Sequence, residues 1–235
     1  MELAPVVEDW QQALAVVAHP DDLEWGFAAA IARWTGQGKR VVYCLLTSGE
    51  AGIDGVDPVE CGPLREAEQI ESSRIVGVSA VEFLGQPDGT IEYGVALRRV
   101  ITAAIRRHQP EIVITNNFRD TWDGDSVLNQ ADHINTGRAT LDAARDAANR
   151  WIFPDAGDKW GGVRQVWAAG SPDARHAVDT TATFELGLRS LEAHRAYIDG
   201  LDQAFDPEEF LEGAARPAGT LLGTKYAARF EVFSL

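Results

Sequence analysis

AVVAHPDDLEW, residues 15–25, joins the end of an apolar run to residues that can carry chemistry. The apolar run reads as a strand, and His19, Pro20, Asp21 and Asp22 follow it directly. In open parallel sheets, ligands bind in the crevice at the carboxyl ends of the strands, so this is a favoured place for polar side chains. Pro20 fixes its own φ and ends the strand, so the two aspartates stand on a stiff turn where a helix begins.

Short apolar runs alternate with longer amphipathic segments along the rest of the chain. This alternation is typical of βαβ units and a parallel sheet. The predicted strands cover residues 14–18, 40–47, 80–84, 111–115, 163–169 and 226–233. The predicted helices cover approximately residues 25–36, 63–76, 97–108, 134–151 and 183–201. We therefore expect an α/β fold, a Rossmann-like three-layer sandwich with a mostly parallel central sheet.

The chain has 235 residues, of which 45% are apolar and 24% charged, so a disordered or fibrous protein is excluded. This length fits a single domain over residues 1–235. We expect its C-terminal part, from about residue 160 to residue 235, to complete the sheet and the pocket. The loop 116–131 has no periodic pattern, and long loops in compact domains are often functional, so it is a candidate wall of the site.

The charge of the chain limits its partners. Its 21 basic and 36 acidic residues give a net charge of −15 at pH 7, which repels phosphate backbones, so we expect neither nucleic acid nor a membrane as a partner. The start, MELAPVVEDW, lacks the basic region of a signal peptide, so we expect a cytoplasmic protein. Cys44 and Cys61 are too few for a disulfide framework and are expected to be free thiols.

Two interpretations of the His-Pro-Asp-Asp turn stand side by side. Asp21 or Asp22 can be an N-cap for the next helix, and His19 a satisfied histidine at the end of a strand. Two adjacent carboxylates and an imidazole nevertheless exceed what capping requires. A hydrolytic zinc site needs three protein ligands and an open position, and His19 with Asp22 supplies two of them.

A third ligand has to come from another part of the sheet edge. His133 follows the loop after the fourth predicted strand and opens the next helix, so it is placed to face the same crevice. His108 ends a helix and is expected to compensate its dipole. His176 is expected in a solvated loop, and His194 is expected to make a hydrogen bond in the core or at an interface.

Seven stretches of the sequence resemble the PIG-L/LmbE-like deacetylases, which are metal-dependent N-deacetylases of amino sugars and related amides. The strongest are AHPDDLE (18–24), LTSGEAG (46–52), LREAE with IVGV (within 64–78) and FLGQPDG (83–89). ADHINTGRA (131–139), LEAHRAY (191–197) and YAARFEVF (226–233) agree in order and spacing. The resemblance covers most of the chain.

The resemblance implies a role for each matching residue. It implies that His19, Asp22 and His133 bind Zn²⁺ and that Asp21 is the general base. Fe²⁺ or Mn²⁺ also suits such ligands. It further implies that Arg65 and Asp88 bind substrate hydroxyls. Glu50 is expected to line the same pocket, although a turn acid is an equal alternative; Asp132 is retained from the family motif beside His133, and Trp122 is a candidate for stacking on a sugar face.

The chain departs from the family at one position. The usual His-Pro-Asp-His motif is here Gln130-Ala131-Asp132-His133, so a glutamine replaces the leading histidine. A glutamine amide can donate a hydrogen bond to an oxyanion but cannot give up a proton in the reaction. Gln130 is a neutral donor, or another group of the loop takes its part, or catalysis is impaired.

We therefore expect a zinc-dependent hydrolase that removes an N-acyl group, foremost N-acetyl, from an amino sugar or a related small amide. The alternatives are a non-catalytic or impaired metal- or sugar-binding protein of the same fold, and an amidase acting on thiol conjugates. A dinucleotide-binding oxidoreductase is disfavoured because HPDDLEW stands where a Gly-x-Gly-x-x-Gly turn would be required. Family members often assemble, which leaves a homo-oligomer open.

Overall fold

The computed structural model describes residues 2–122, 126–201 and 204–235. Within these residues the chain forms eight strands and seven helices. The strands are β1 (Ala4–Pro5), β2 (Gln12–Val17), β3 (Arg40–Leu45), β4 (Val81–Phe83), β5 (Ile112–Asn116), β6 (Gln165–Ala169), β7 (His176–Asp179) and β8 (Ala227–Ser234). The helices are α1 (Ala28–Gly36), α2 (Pro58–Ile75), α3 (Val95–His108), α4 (Ala131–Ala147), α5 (Phe184–Glu192), α6 (Arg195–Asp199) and α7 (Pro207–Leu222).

The strands form one sheet in the order β1-β7-β8-β6-β5-β2-β3-β4. β2 lies in the middle and pairs in parallel with β3 and β5, and β5 pairs in parallel with β6. Among the described strands, only β8 runs antiparallel to its neighbours, β6 and β7. The predicted mostly parallel sheet is confirmed. It places the carboxyl ends of β2, β3 and β5 side by side.

Apolar side chains cover both faces of this sheet. Along β2, Ala13, Ala15 and Val17 join one buried cluster, whereas Leu14 and Val16 join another. Helix α1 contributes to the first cluster, and α3 with α4 contributes to the second. A parallel strand that is buried on both faces reads as a continuous apolar run rather than as an alternation. The three predicted layers are therefore present.

Several helices begin or end elsewhere than predicted. Residues 20–27 form turns, so α1 begins only at Ala28. Helix α2 begins five residues before the predicted position, because the Asp57 side chain accepts a hydrogen bond from the Val59 amide and Pro58 occupies the first turn. Helix α4 begins and ends earlier than predicted. The predicted helix 183–201 is broken between α5 and α6 at Ala193 and His194.

Three elements escaped the sequence prediction: β1, β7 and α7. β1 and β7 are too short to leave a clear pattern. Helix α7 carries a start signal, because the Asp206 side chain accepts hydrogen bonds from the amides of Glu208 and Glu209 and Pro207 follows it. It ends at Gly223, whose φ of +83° suits a glycine.

Two further features concern the whole chain. Cys44 and Cys61 are buried free thiols, as predicted. Across the three described ranges, no helix combines the length and the apolar character that crossing a bilayer requires.

Candidate metal centre

Three side chains from two distant parts of the chain converge where β2 ends. His19 and Asp22 lie in the turn after β2, and His133 lies in the first turn of α4. His133 Nε2 is 2.9 Å from Asp22 Oδ1 and 3.2 Å from His19 Nδ1. His19, Asp22 and His133 each offer one ligand atom, and these atoms all lie within 4.8 Å of one another. The three residues that the resemblance implies as ligands are therefore brought together.

The outer contacts of the two imidazoles set their tautomers. His133 Nδ1 lies 3.0 Å from Asn129 Oδ1, and since a carbonyl oxygen only accepts, this nitrogen carries the proton. His19 Nε2 faces two carboxylates, Asp132 Oδ2 at 3.2 Å and Asp88 Oδ1 at 3.1 Å, and therefore donates as well. In the neutral imidazoles, the inner nitrogens are then lone-pair acceptors.

A cation fits this arrangement. When both imidazoles are neutral, two lone pairs and a carboxylate oxygen face one another, which is unfavourable unless a positive charge, either a proton or a metal ion, lies among them. Burial raises the pKa of Asp22, but His133 and His19 outweigh it, so its pKa lies well below the ordinary value. Burial lowers the pKa of His19, but Asp22, Asp132 and Asp88 raise it well above normal, so the cluster attracts positive charge. Two nitrogens and one oxygen match the ligand set of hydrolytic zinc sites.

Asp132 and Asp88 support His19 from outside the cluster. Asp132 accepts hydrogen bonds from the amides of Gly89 (2.8 Å) and Ile91 (3.0 Å), and Asp88 Oδ2 accepts one from the Ala51 amide (2.8 Å). Carboxylates that are fixed in this way hold a ligating imidazole in one orientation. Asp132 therefore lies where its motif position predicts. Asp88 contacts the candidate ligand His19, and the sequence did not predict this contact.

Asp21 lies beside the cluster and is almost completely buried. Its φ of +83° is in the left-handed region, which is uncommon for a residue other than glycine and often marks a functional turn. Burial raises the pKa of Asp21 to about 6, although the nearby Arg65 guanidinium lowers it. Asp21 also lines the cavity described below. A buried carboxylate of this kind can accept a proton from a molecule in the cavity.

Arg65 is more tightly held than its predicted role suggested. It donates to Asp21 Oδ2 (2.9 Å), to the Pro20 carbonyl (2.7 Å) and to the Gly49 carbonyl (3.1 Å). Its guanidinium lies 4.2 Å from the centre of the Tyr197 ring. The guanidinium thus makes these hydrogen bonds to protein atoms, although part of the residue still lines the cavity. Its binding of a substrate hydroxyl stays a prediction.

Glu50 closes a turn. It accepts hydrogen bonds from the amides of Asp88 (3.0 Å) and Ser48 (3.2 Å), and it is not among the residues that line the main cavity. These contacts favour the alternative interpretation, a turn acid, over a substrate contact. Through Asp88, Glu50 still supports the surroundings of the centre.

The centre opens into a cavity of about 790 Å³. Gln130 and Trp122 line the cavity close to the centre, and the Trp122 ring lies edge to face with the His133 ring at 5.5 Å. Residues 123–125 of the predicted wall lie outside the described residues. Apolar side chains form another part of the cavity wall, among them Trp25, Phe27, Phe184, Phe210, Leu211 and Ala215.

The other histidines do not reach the centre. His108 ends α3, as predicted, and its Nε2 lies 2.9 Å from Glu82 Oε1. His176 begins β7, which corrects its predicted place in a loop, because that segment pairs with β8. His194 is fully buried beside Glu24, with 3.6 Å between Nε2 and Oε2, so its predicted place in the core is correct, but neither ring nitrogen makes the predicted hydrogen bond to a described residue.

Comparison with known proteins agrees with the geometry. A family profile described as "PIG-L: GlcNAc-PI de-N-acetylase" matches residues 14–144, which is more than half of the chain. The chain belongs to the PIG-L family. The matched stretch contains the three converging side chains and Asp21, so the predicted resemblance is confirmed on five of the seven stretches that carried it, whereas LEAHRAY and YAARFEVF lie beyond the matched residues.

Relatives of this PIG-L protein are named as deacetylases. The diacetylchitobiose deacetylase of Thermococcus kodakarensis is 27% identical over 226 residues, which cover 93% of this chain and 82% of the relative. The 1D-myo-inositol 2-acetamido-2-deoxy-alpha-D-glucopyranoside deacetylase 2 of Saccharopolyspora erythraea is 26% identical over 180 residues, which cover 66% of this chain and 64% of the relative.

A solved structure shows the same fold. The N,N'-diacetylchitobiose deacetylase of Pyrococcus horikoshii superposes with a TM-score of 0.87 over 97% of this chain and 85% of that one. The identity is 23%, so this likeness supports the architecture and not the choice of substrate.

Proposed function

We propose that this protein is a metal-dependent hydrolase that removes an N-acyl group, foremost an N-acetyl group, from an amino sugar or a related small amide. The observation that carries the proposal is the convergence of His19, Asp22 and His133 beside the buried carboxylate of Asp21, at the wall of a cavity. The relatives named as deacetylases of acetylated sugars support the same reaction.

Zinc is the metal that we assign to the centre. Two imidazoles and one carboxylate with an open position are typical of hydrolytic zinc sites, whereas Fe²⁺ and Mn²⁺ remain alternatives for the same ligands. A cation held there polarises the acyl oxygen and makes water more acidic. His19, Asp22 and His133 would hold it, with Asp132, Asp88 and Asn129 fixing the two rings.

Asp21 is the proposed base. It accepts a proton from the water molecule that attacks the acyl carbon. When the bond between carbon and nitrogen breaks, the same carboxyl group returns this proton to the leaving amine. The hydrogen bond from Arg65 to Asp21 Oδ2 fixes the carboxylate plane, so the orientation of the base does not have to be found during the reaction.

Gln130 is the proposed neutral donor to the oxyanion. It lines the cavity at the N-terminus of α4, one turn before His133. Its side-chain amide can donate a hydrogen bond where negative charge develops on the acyl oxygen. Gln130 thus takes over the hydrogen bond of the family histidine but cannot transfer a proton. Asp21 both accepts the proton from water and returns it to the leaving amine.

The cavity suggests how a substrate lies. Asp88 is the proposed contact for a hydroxyl group near the centre, and Trp122 offers a flat apolar face for a sugar ring. The apolar part of the cavity wall provides room for a substituent larger than acetyl or for a second ring. An amide of a thiol conjugate is a second substrate class that this shape accepts.

A non-catalytic or impaired metal-binding protein is the second candidate function, and the observation that favours it is Gln130 in place of histidine. We further propose a small-molecule partner and a cytoplasmic location, since both cysteines are free thiols. Assembly into a homo-oligomer stays a prediction, which light scattering of the purified protein tests.

Release of amine from a panel of N-acylated compounds tests the proposed function. The panel holds N-acetylglucosamine, diacetylchitobiose, N-acetylglucosaminyl inositol and an N-acetylated cysteine conjugate of an amino sugar. The zinc-loaded protein should release amine from at least one sugar amide, and the chelated protein should not. Zinc binding without amine release from any member would favour the non-catalytic alternative.

A further inference from the structure

A buried chain of hydrogen bonds leads away from the backbone of Asp21. The Asp21 amide donates to Gln69 Oε1 at 2.8 Å. Gln69 belongs to α2 and is fully buried. Because Asp21 has a φ of +83°, its conformation persists only if its surroundings hold it, and this hydrogen bond acts directly on the strained residue.

A hydrogen bond to Glu24 fixes the orientation of the Gln69 side chain. Its Nε2 donates to Glu24 Oε1 at 3.1 Å, and this oxygen also accepts a hydrogen bond from Ser72 Oγ at 2.8 Å. The contact with the carboxylate decides which way the Gln69 amide points, since only the NH₂ end can donate. The oxygen of Gln69 must therefore face Asp21.

On its other side, Glu24 lies beside His194, without a hydrogen bond between the two side chains. The two side chains are fully buried, and Glu24 Oε2 lies 3.6 Å from His194 Nε2. Placing a carboxylate and an imidazole in a dry interior is costly, and packing alone would be served better by apolar residues. Neither side chain touches the three candidate metal ligands in any contact recorded for the described residues. The pair therefore calls for a role other than metal binding.

We propose that Gln69 is a positioning residue for the base Asp21, and that Glu24 and His194 form the anchor that holds Gln69 in place. This inference rests on the proposed function, because it concerns the group that accepts the proton. A second hydrogen bond holds the backbone at Asp21, because the Glu24 amide donates to the Asp21 carbonyl at 2.7 Å. Gln69 holds the backbone amide of Asp21, and the backbone amide of Glu24 holds the Asp21 carbonyl group.

The Gln69→Leu variant keeps the size of the side chain and removes both hydrogen bonds. Without its acceptor, the Asp21 amide is freed, and the residue can leave the left-handed region. A displacement of about 1 Å at a reacting group costs roughly 10²-fold in rate. We therefore expect kcat to fall by roughly 10- to 100-fold, while KM and the bound zinc change by less than about threefold.

Two comparisons separate positioning from damage to the fold. Ser73→Ala is the matched control, because Ser73 is buried in the same helix but its hydroxyl donates to the Ile70 carbonyl, away from Asp21. It should leave kcat and the melting temperature near those of the wild type. In the double variant Asp21→Asn with Gln69→Leu, kcat should equal that of Asp21→Asn alone, because Gln69 acts through Asp21. Independent losses that multiply would overturn the proposal.

A crystal structure of Gln69→Leu provides a readout that needs no activity. The proposal expects the φ of Asp21 to leave the left-handed region, and an unchanged φ near +83° would overturn it. If this variant does not fold, Gln69→Glu serves instead, since it keeps an acceptor for the Asp21 amide but sets a carboxylate against Glu24. It should lower kcat with zinc retained. An inactive wild type would refute the proposed function, whereas the crystallographic result would still decide the positioning role.

Discussion

His19 Nδ1 and His133 Nε2 lie 3.2 Å apart, although 114 positions separate the two residues in the sequence. Each ring gives its outer proton to a different acceptor, so two lone pairs face each other across the gap. Such an approach is unfavourable without a cation, and Asp22 completes a set of three ligand atoms on the same side. The hydrogen bonds around the two rings thus favour a bound cation at this place.

Asn129 should matter for metal affinity without being a ligand. Its Oδ1 accepts from His133 Nδ1, and its Nδ2 donates to the Asn117 carbonyl at 2.8 Å, which fixes the amide. We expect Asn129→Ala to weaken zinc binding by roughly 10- to 100-fold, as loss of an outer-shell partner does. Asn135→Ala is the control, because Asn135 lies on the same helix as His133 but donates to the Ile91 carbonyl instead of contacting the imidazole. Equal zinc affinities of the two variants, measured by competition with a chelating dye, would contradict this role.

Asp21→Asn should separate turnover from metal binding. The amide keeps the size of the side chain but cannot accept the proton from water, so kcat should fall by roughly 10²- to 10⁴-fold. The neighbouring variant, Asp22→Asn, changes a ligand and should lose zinc as well as turnover. Metal analysis and amine release on both proteins check this difference. Full activity of Asp21→Asn would mean that another group is the base.

Gln130→His introduces the histidine that the family motif described in the sequence analysis would have at this position. If the neutral glutamine limits the reaction, kcat should rise by roughly tenfold, since a positioned acid or base is worth that or more. Gln130→Ala should lower kcat by roughly 10²-fold, because an oxyanion donor is lost. Steady-state kinetics on both variants provides the check. A Gln130→Ala variant with the kcat of the wild type would show that Gln130 does not stabilise the oxyanion.

Glu8 gives the fold a pH dependence that does not involve the centre. Its carboxylate accepts from Arg33 (3.0 Å) and from Trp34 Nε1 (2.7 Å). Burial raises the pKa of Glu8, but the hydrogen bonds and charge of Arg33 and the contact with Trp34 outweigh it, so the folded-state pKa is lowered. The stabilisation is therefore present above the unfolded-state pKa and is lost as the pH falls through the folded-state value.

The Glu8→Gln variant tests this linkage. At pH 7 its free energy of unfolding should be lower by roughly 1 kcal/mol, a value discounted for the partial exposure of the pair. The difference from the wild type should shrink as the pH falls below about 4, where the wild-type carboxylate takes up a proton. Urea unfolding at several pH values measures it. A difference that is constant with pH would show that the charge is not involved.

The sequence predicted the parts of the site that have a local or topological signature. His19, Asp21 and Asp22 follow a strand directly, and His133 opens a helix after another strand of the same sheet. Because the carboxyl ends of parallel strands meet at one edge, these residues were expected to lie together. The alternation of strands and helices predicted the sheet for the same reason.

The contacts that hold the site had no such signature. Gln69 meets the Asp21 amide across 48 positions, and His194 meets Glu24 from the break between α5 and α6. A single buried hydrogen bond between a helix and a distant turn leaves no period in the sequence. Asn129 is likewise one polar residue in an irregular loop. The break between α5 and α6 was missed because residues 183–201 carry neither proline nor a glycine at the break.

Titration of metal-free protein with Zn²⁺ in a calorimeter, alongside His133→Ala, tests whether His19, Asp22 and His133 hold a metal ion. We expect one zinc ion per wild-type chain with tight binding, and a loss of affinity well beyond 100-fold in the variant, because the loss of a ligand weakens binding more than the loss of a residue that only orients a ligand. Wild-type protein that binds no zinc, Fe²⁺ or Mn²⁺, or a His133→Ala variant that binds as tightly as the wild type, would contradict it.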